Sequence, residues 1–169
     1  MPDAEERKVV EKAHEDEREG KSPSTQAGEF VREEMHHVRE GKHGARSPQQ
    51  AIAIGLSKAR RAGVKLSPPK RGSARTKRQA ARDTQKGRSG NRRVSRTRSR
   101  AISGALKREG HSAASRASLS KQAKSAARRR GSRSRRQAAR KAVRTKGPSV
   151  LRTEARKVAR TRARHHRAA

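Results

Sequence analysis

The sequence predicts a mostly α-helical chain with extensive disorder: a small antiparallel helical hairpin at about 25–66, an acidic helix before it, and a basic arm of short alanine- and arginine-rich helices after it. Three observations lead there. Apolar residues larger than alanine recur densely at helical spacing only between 25 and 66. Elsewhere there is little to bury, since 28% of the 169 residues are hydrophobic against 37% charged, and Phe30 is the one aromatic side chain. Such a composition does not offset the entropy of ordering a chain. Charge is also segregated: twelve of the fifteen acids lie in residues 1–40, and only Asp83, Glu109 and Glu154 follow.

The first element, residues 1–20, opens on Asp3 as N-cap with Glu6 completing a D-x-x-E box, and ends at Gly20 before the turn-like KSPST. With Val9, Val10 and a few alanines as its apolar content, this helix is expected to be loosely docked or fraying. In the hairpin, a first helix from about Gln26 to Glu40 is capped by Ser24 or Thr25 and closed by Gly41, and it gathers Phe30, Val31, Met35 and Val38 on one side. A second helix starts at Ser47, with Pro48 at the first helical position and Gln50 placed for a capping box. Ile52, Leu56 and Ala59 then recur at i, i+4 and i+7, and Gly63 ends the helix so that Val64 and Leu66 fold back over its last turn. The two stripes face each other, which makes Phe30, Met35, Val38, Ile52, Leu56 and Leu66 the expected core. A core this small is expected to be completed by a second copy or a protein partner.

Pro68 and Pro69 open a flexible basic linker, residues 67–94, and the arm proper is residues 95–169. Short helices are expected at about 74–86, 95–109, 115–130, 133–146 and 149–164, punctuated by Gly87, Gly110, Gly131 and Gly147. Ile102, Leu106 and Leu119 mark a second helical hairpin at 95–130, thin enough to order chiefly when phosphates screen its charge.

Residues 1–40 carry a net −5 and the remainder +38. Internal ion pairs cannot neutralise that arm, so the compensating anions must come from outside, and nucleic acid is the commonest polyanion in a cell. The residues expected to contact phosphates are Arg60, Arg61, Arg92, Arg93, Arg128, Arg129, Arg130, Arg133, Arg135, Arg136, Arg140, Lys141, Arg160, Arg162 and Arg164, because forked guanidinium donors match phosphate oxygens two at a time. The function expected from this is DNA binding without sequence preference, of an architectural or nucleoid-associated kind, in the bacterial cytoplasm. RNA or ribosome association stays open on charge alone, as does a protein-interaction module in which the hairpin does the work. No zinc-finger spacing, aromatic platform or strand pattern points to base-specific reading.

Other classes find less support. No phosphate-binding glycine loop, nucleophile elbow or acid pair in an apolar pocket suggests an enzyme or a small-molecule substrate, and no cofactor is expected. His36, His37 and His43, with Glu33 or Glu40 nearby, are not expected to hold a metal, since adjacent histidines diverge on a helix. His165 and His166 read as additional pH-dependent charge in the tail. The charged N-terminus does not read as a signal peptide, and no apolar run suits membrane insertion. Ser95, Ser99, Ser132 and Ser134 sit among arginines in contexts a basophilic kinase accepts, although serine is also the default spacer of a solvated arm.

The stretch EEMHHVREGKHGARSPQQAIAIGLSKARRAG, residues 33–63, resembles a family of small, basic, uncharacterised bacterial proteins defined by a domain of unknown function. The likeness is close at Gln50 to Ser57 and at Ala59 to Gly63, while the loop Lys42 to Arg46 is shorter than the family's usual glycine- and lysine-rich connection. What the resemblance implies is the hairpin, a bacterial source and a basic character, with no assigned activity. The arm is also similar in composition to bacterial histone-like tails.

Overall fold

The structure, a computed structural model, describes residues 4–90 and 95–167, and those residues contain helices and no strand. In chain order they are α1 (Ala4–Arg18), α2 (Pro23–Arg39), α3 (Pro48–Arg61), α4 (Ala74–Ser89), α5 (Arg96–Lys107), a single 3-10 turn at Ser112–Ala114, and α6 (Arg116–Arg167). They divide into two compact units, residues 1–122 and 123–169.

In the first unit the expected antiparallel hairpin is present as α2 and α3, the most extensively packed pair of helices. Its helices approach closely because Gly55 faces the α2 backbone, where a Cβ would come within 2.8 Å of Val31 Cα and 3.0 Å of the Phe30 carbonyl. The second helix begins as its sequence dictates: Gln50 N–H donates to the Ser47 side chain at 3.2 Å, and Gln50 Oε1 accepts from Arg46 N–H at 2.9 Å. The first helix starts earlier than expected, at Pro23 with Ser22 as N-cap, because proline is pre-set for the first helical position and Ser22 Oγ is engaged with Ser24 and Thr25 hydroxyls. Asp3, the expected cap of α1, lies outside the described residues.

Two small cores flank the hairpin. Met35, Val38, Ala45, Ala51, Ala113 and Ala114 form one, with Val31, Ile52 and Leu119 at its edge; Ala13, Ala27, Phe30, Ala59 and Val64 form the other, edged by Val9, Val10, Leu56 and Leu66. Of the expected core residues, Phe30, Met35 and Val38 are buried, whereas Ile52, Leu56 and Leu66 are half-buried. The expectation of a loosely docked first helix is corrected: α1 packs along α2 by burying Ala13 between Val9, Val10 and Phe30. Its apolar residues are few, but they share one face and meet the one large aromatic side chain. The turn at residues 112–114 covers the opposite side of the hairpin, so elements of the same chain close both cores.

The helix expected at about 74–86 is present as α4, but the reading of residues 67–94 as a flexible linker needs correction, since α4 is docked on α3 with Ala80 and Asp83 buried. Gly87 does not break this helix. It lies inside α4 where α3 passes so close that a Cβ would meet the Arg60 carbonyl oxygen at 2.1 Å. The second hairpin at 95–130 is not formed as expected: α5 buries none of its residues and leaves Ile102 54% exposed. What packs instead is the chain after α5. Gly44 N–H donates to the Leu106 carbonyl at 2.9 Å and Ala45 N–H to that of Gly110 at 3.0 Å, which fastens the α2–α3 loop to the end of α5. No side chain fits at position 44, because its Cβ would lie 1.8 Å from the Glu109 carbonyl oxygen.

Extensive disorder, the remaining expectation, is replaced by helix throughout residues 95–167 apart from short turns. Alanine, arginine and lysine are good helix formers, and between the glycines nothing interrupts them. Within α6 the breaks fall at Gly131 (φ 77°, ψ 168°) and Gly147 (φ 77°, ψ 154°), as the sequence predicts, with Pro148 opening the segment after the second.

Candidate nucleic-acid interface

The second unit, residues 123–169, carries eighteen Lys and Arg against one acid, Glu154, and Glu154 already accepts from Lys157 Nζ at 2.9 Å. At 1.5 Å rise per residue this is roughly one net positive charge per 4 Å of helix. Duplex DNA presents one negative charge per about 1.7 Å of axis, so such a segment stays undercharged relative to its counterpart and can be neutralised along its whole length.

Arg128, Arg129, Arg130, Arg133, Arg135, Arg136, Arg140, Lys141, Arg160 and Arg164 are all exposed on α6. Helical geometry arranges several of them in rows. Arg133, Arg136, Arg140 and Arg144 recur at three- and four-residue steps in the segment between the two glycines, and Arg152, Arg156, Arg160 and Arg164 at four-residue steps after Gly147. Four residues advance a helix by about 6 Å, so each row is a ridge of forked donors. Arg144, Arg152 and Arg156 join the expected set through these rows; consecutive arginine runs draw the eye away from them, and the four-residue spacing is the signal that identifies them. Arg92, Arg93 and the side chains of Arg162, His165 and His166 lie outside the described residues.

Two of the expected phosphate ligands have partners within the fold, and of these only Arg60 is buried. Arg60 is 7% exposed, and its guanidinium donates to the carbonyls of Leu66 (3.3 Å), Leu56 (3.4 Å) and Ser67 (3.4 Å). It ties the stretch after α3 back onto the helix, while the last-turn carbonyls of Lys58, Ala59 and Arg60 accept from the backbone N–H groups of Ala62, Val64 and Gly63. Burial lowers its pKa from the ordinary arginine value, only partly offset by the charge of Asp83. Arg61 keeps about half its surface but donates from Nε to Asp83 Oδ1 at 2.8 Å. Asp83 also accepts from Ser57 Oγ (2.6 Å) and Gln79 Nε2 (3.1 Å). Burial pushes its carboxyl upward, yet the hydrogen bonds from Ser57 and Arg61, the Arg61 charge and Gln79 together hold it below the usual aspartate value.

The N-terminal acids have basic partners within the first unit. Glu5 pairs with Lys42 and Glu17 with Lys65 (3.1 Å), while Lys21 bridges Asp16 (2.7 Å) and Glu19 (2.5 Å). Hydrogen bonds from Lys42 and Lys65 hold the Glu5 and Glu17 carboxyls below their ordinary range. Ser95, one of the arginine-flanked serines, is the N-cap of α5 and accepts from Arg98 N–H at 3.4 Å.

His36 and His37 diverge on α2 as expected, whereas helical spacing does not predict the position of His43. His36 is exposed, but the α2–α3 loop returns His43 to His37, with ring centroids 5.9 Å apart, and both lie beside fully buried Glu34. Among the described residues no helix is long and apolar enough to cross a membrane.

Residues 20–71 match a family of unknown function, DUF6496. The matched stretch contains α2, α3 and the chain up to the approach to α4; α1, α4 and the turn at 112–114, which pack around the hairpin, lie outside it. No curated protein and no solved structure matches the chain.

Proposed function

We propose that this protein binds nucleic acid through phosphate contacts of residues 123–169, without sequence preference, and acts architecturally on DNA in the manner of a nucleoid-associated protein. One observation carries the reading: rows of exposed arginines on α6 meet a single carboxylate among the charges of their own unit. Such a surface is stable only with counterions, and a polyanion replaces those counterions at an entropic gain. In the first unit, by contrast, the acids of residues 1–40 are largely spent on lysines, and Arg60 and Arg61 serve the fold. The folded unit thus acts as a carrier for the arm.

The test is duplex binding by the full chain across salt concentration, for the wild type and for a variant with Arg128, Arg129, Arg130, Arg133, Arg135, Arg136 and Arg140 changed to Gln. Loss of seven phosphate contacts lowers the magnitude of the log–log salt slope by about 6 and weakens low-salt binding, while the far-UV signal and melting of the first unit are kept. An unchanged slope sinks the reading. Competition between duplex DNA and a structured RNA of equal length, run in the same buffer, decides which polymer is preferred; preference for RNA replaces the architectural DNA role with an RNA-associated one.

A further inference from the structure

Separate from the arm, the first unit holds a cluster of imidazoles and carboxylates that charge counting does not explain. Glu34, on α2, is 0% exposed. It is ion-paired with Lys58 of α3, whose Nζ lies 2.9 Å from Oε2, yet neither carboxylate oxygen receives a properly directed hydrogen bond. Its other oxygen, Oε1, faces His43 Nε2 at 3.3 Å. His37, one turn along α2, completes a set in which one donor atom from each of Glu34, His37 and His43 lies within 4.8 Å of the others. A second carboxylate layer backs it: His37 Nε2 is 3.0 Å from Glu33 Oε1 and 3.4 Å from Glu5 Oε2, again without a directed hydrogen bond.

His43 is held in place from its other side, since its Nδ1 lies 3.0 Å from the Gly44 carbonyl and Nε2 is the nitrogen that faces Glu34. Glu34 Oε1 gains no directed hydrogen bond from that approach, and a fully buried carboxylate oxygen left so is a place for a cation. The spacing suits one. Two donors each about 2.0–2.1 Å from a tetrahedral zinc ion stand about 3.3 Å apart, the separation seen between Glu34 Oε1 and His43 Nε2. The Nδ1–carbonyl contact is also the kind of outer interaction that orients a metal-binding histidine.

We propose that Glu34, His37 and His43 form a binding site for a divalent transition cation of the zinc class. Two imidazoles with one carboxylate favour zinc over magnesium or calcium, which take oxygen ligands. Lys58 stays on the outer oxygen of Glu34, and Glu33 and Glu5 supply the negative charge that offsets the ion. Because His43 belongs to the loop that Gly44 and Ala45 fasten to residues 106–110, occupancy of the site pins that loop as well.

The experiment is competition of the full-length protein, free of nucleic acid, with a chromophoric chelator for Zn2+, alongside the visible absorption of the Co2+ form and the melting temperature with and without zinc. One saturable site is expected, unaffected by excess Mg2+. His43→Ala, in a loop, should weaken Zn2+ by roughly 100-fold, while His36→Ala, on the exposed side of the same helix as His37, leaves it unchanged. Zinc should raise the melting temperature of the wild type and leave that of a His37→Leu/His43→Ala double variant where it was. Wild-type binding no tighter than that of the double variant overturns the proposal, and so does a loss in His36→Ala as large as in His43→Ala. Since the wild-type titration alone can return the negative answer, a variant that fails to fold does not shield the idea.

Discussion

Arg60 and Arg61 are neighbours in sequence with separate employments, and the difference is burial. Arg60 gives its donors to the carbonyls of Leu56 inside α3 and of Leu66 and Ser67 beyond it, so replacing it with Met should cost about 1–3 kcal/mol of unfolding free energy by releasing that following stretch, with little change in DNA affinity. Urea denaturation and duplex binding on one variant measure both. Asp83 adds a pH dependence. Its folded-state pKa is lowered, so its contribution is complete above the ordinary value of 3.8 and lost as pH falls through the lower folded value. Release of α4 from α3 is therefore expected only once the pH has dropped below the ordinary aspartate range, and amide exchange in α4 is the measurement. In Asp83→Asn the same exchange should already be faster at neutral pH, because Arg61 then faces an uncharged amide; similar protection in both proteins would show that the carboxylate does not hold the helix.

At the scale of elements, glycine distinguishes packing from mere helix content. Gly28 lies in α2 with open space where a Cβ would stand, whereas Gly87 lies in α4 against the Arg60 carbonyl. Gly28→Ala is expected to stabilise by about 0.5–1 kcal/mol, and Gly87→Ala to destabilise by about 1–3 kcal/mol by levering α4 off α3; thermal melting of the two variants reads the opposite signs. These elements differ in how far the chain discloses them. The α2–α3 hairpin is legible because Ser47, Pro48 and Gln50 mark a helix start and Ile52, Leu56 and Ala59 mark a face. Gly131 and Gly147 are legible as breaks because each takes positive φ. Gly87 is not, since a glycine required by a neighbouring backbone looks, in one dimension, like one required by a turn. The docking of α4 is hidden for a similar reason: it rests on Ala80 and on one buried carboxylate, and neither has an amphipathic signature. The cluster at Glu34, His37 and His43 escapes a sequence reading because a loop, not helical periodicity, brings His43 back.

For the whole molecule, the division into residues 1–122 and 123–169 separates a part with two apolar cores from one whose basic side chains are exposed and whose Val143, Val150 and Val158 remain 45–48% exposed. Local opening is easiest where few apolar contacts resist it. Trypsin should therefore cut the free protein first within 123–169 and leave a fragment ending near Gln122, and duplex DNA should slow those first cuts; equal cleavage rates on both sides of Gln122 would contradict this division of stability. Charge repulsion works against α6 in the same region, since like charges four residues apart each disfavour helix by about 0.2–0.5 kcal/mol. The interruptions at Gly131 and Gly147 then acquire a kinetic meaning. The stretch between them measures roughly 22 Å, about two-thirds of a duplex turn, so on the proposed reading the arm would grip a long polymer as a series of short rods, each able to let go while its neighbours hold. A rod that has let go can be captured by a second strand before it returns, and dissociation should accelerate as free competitor DNA is added, in place of the constant off-rate of a single rigid contact.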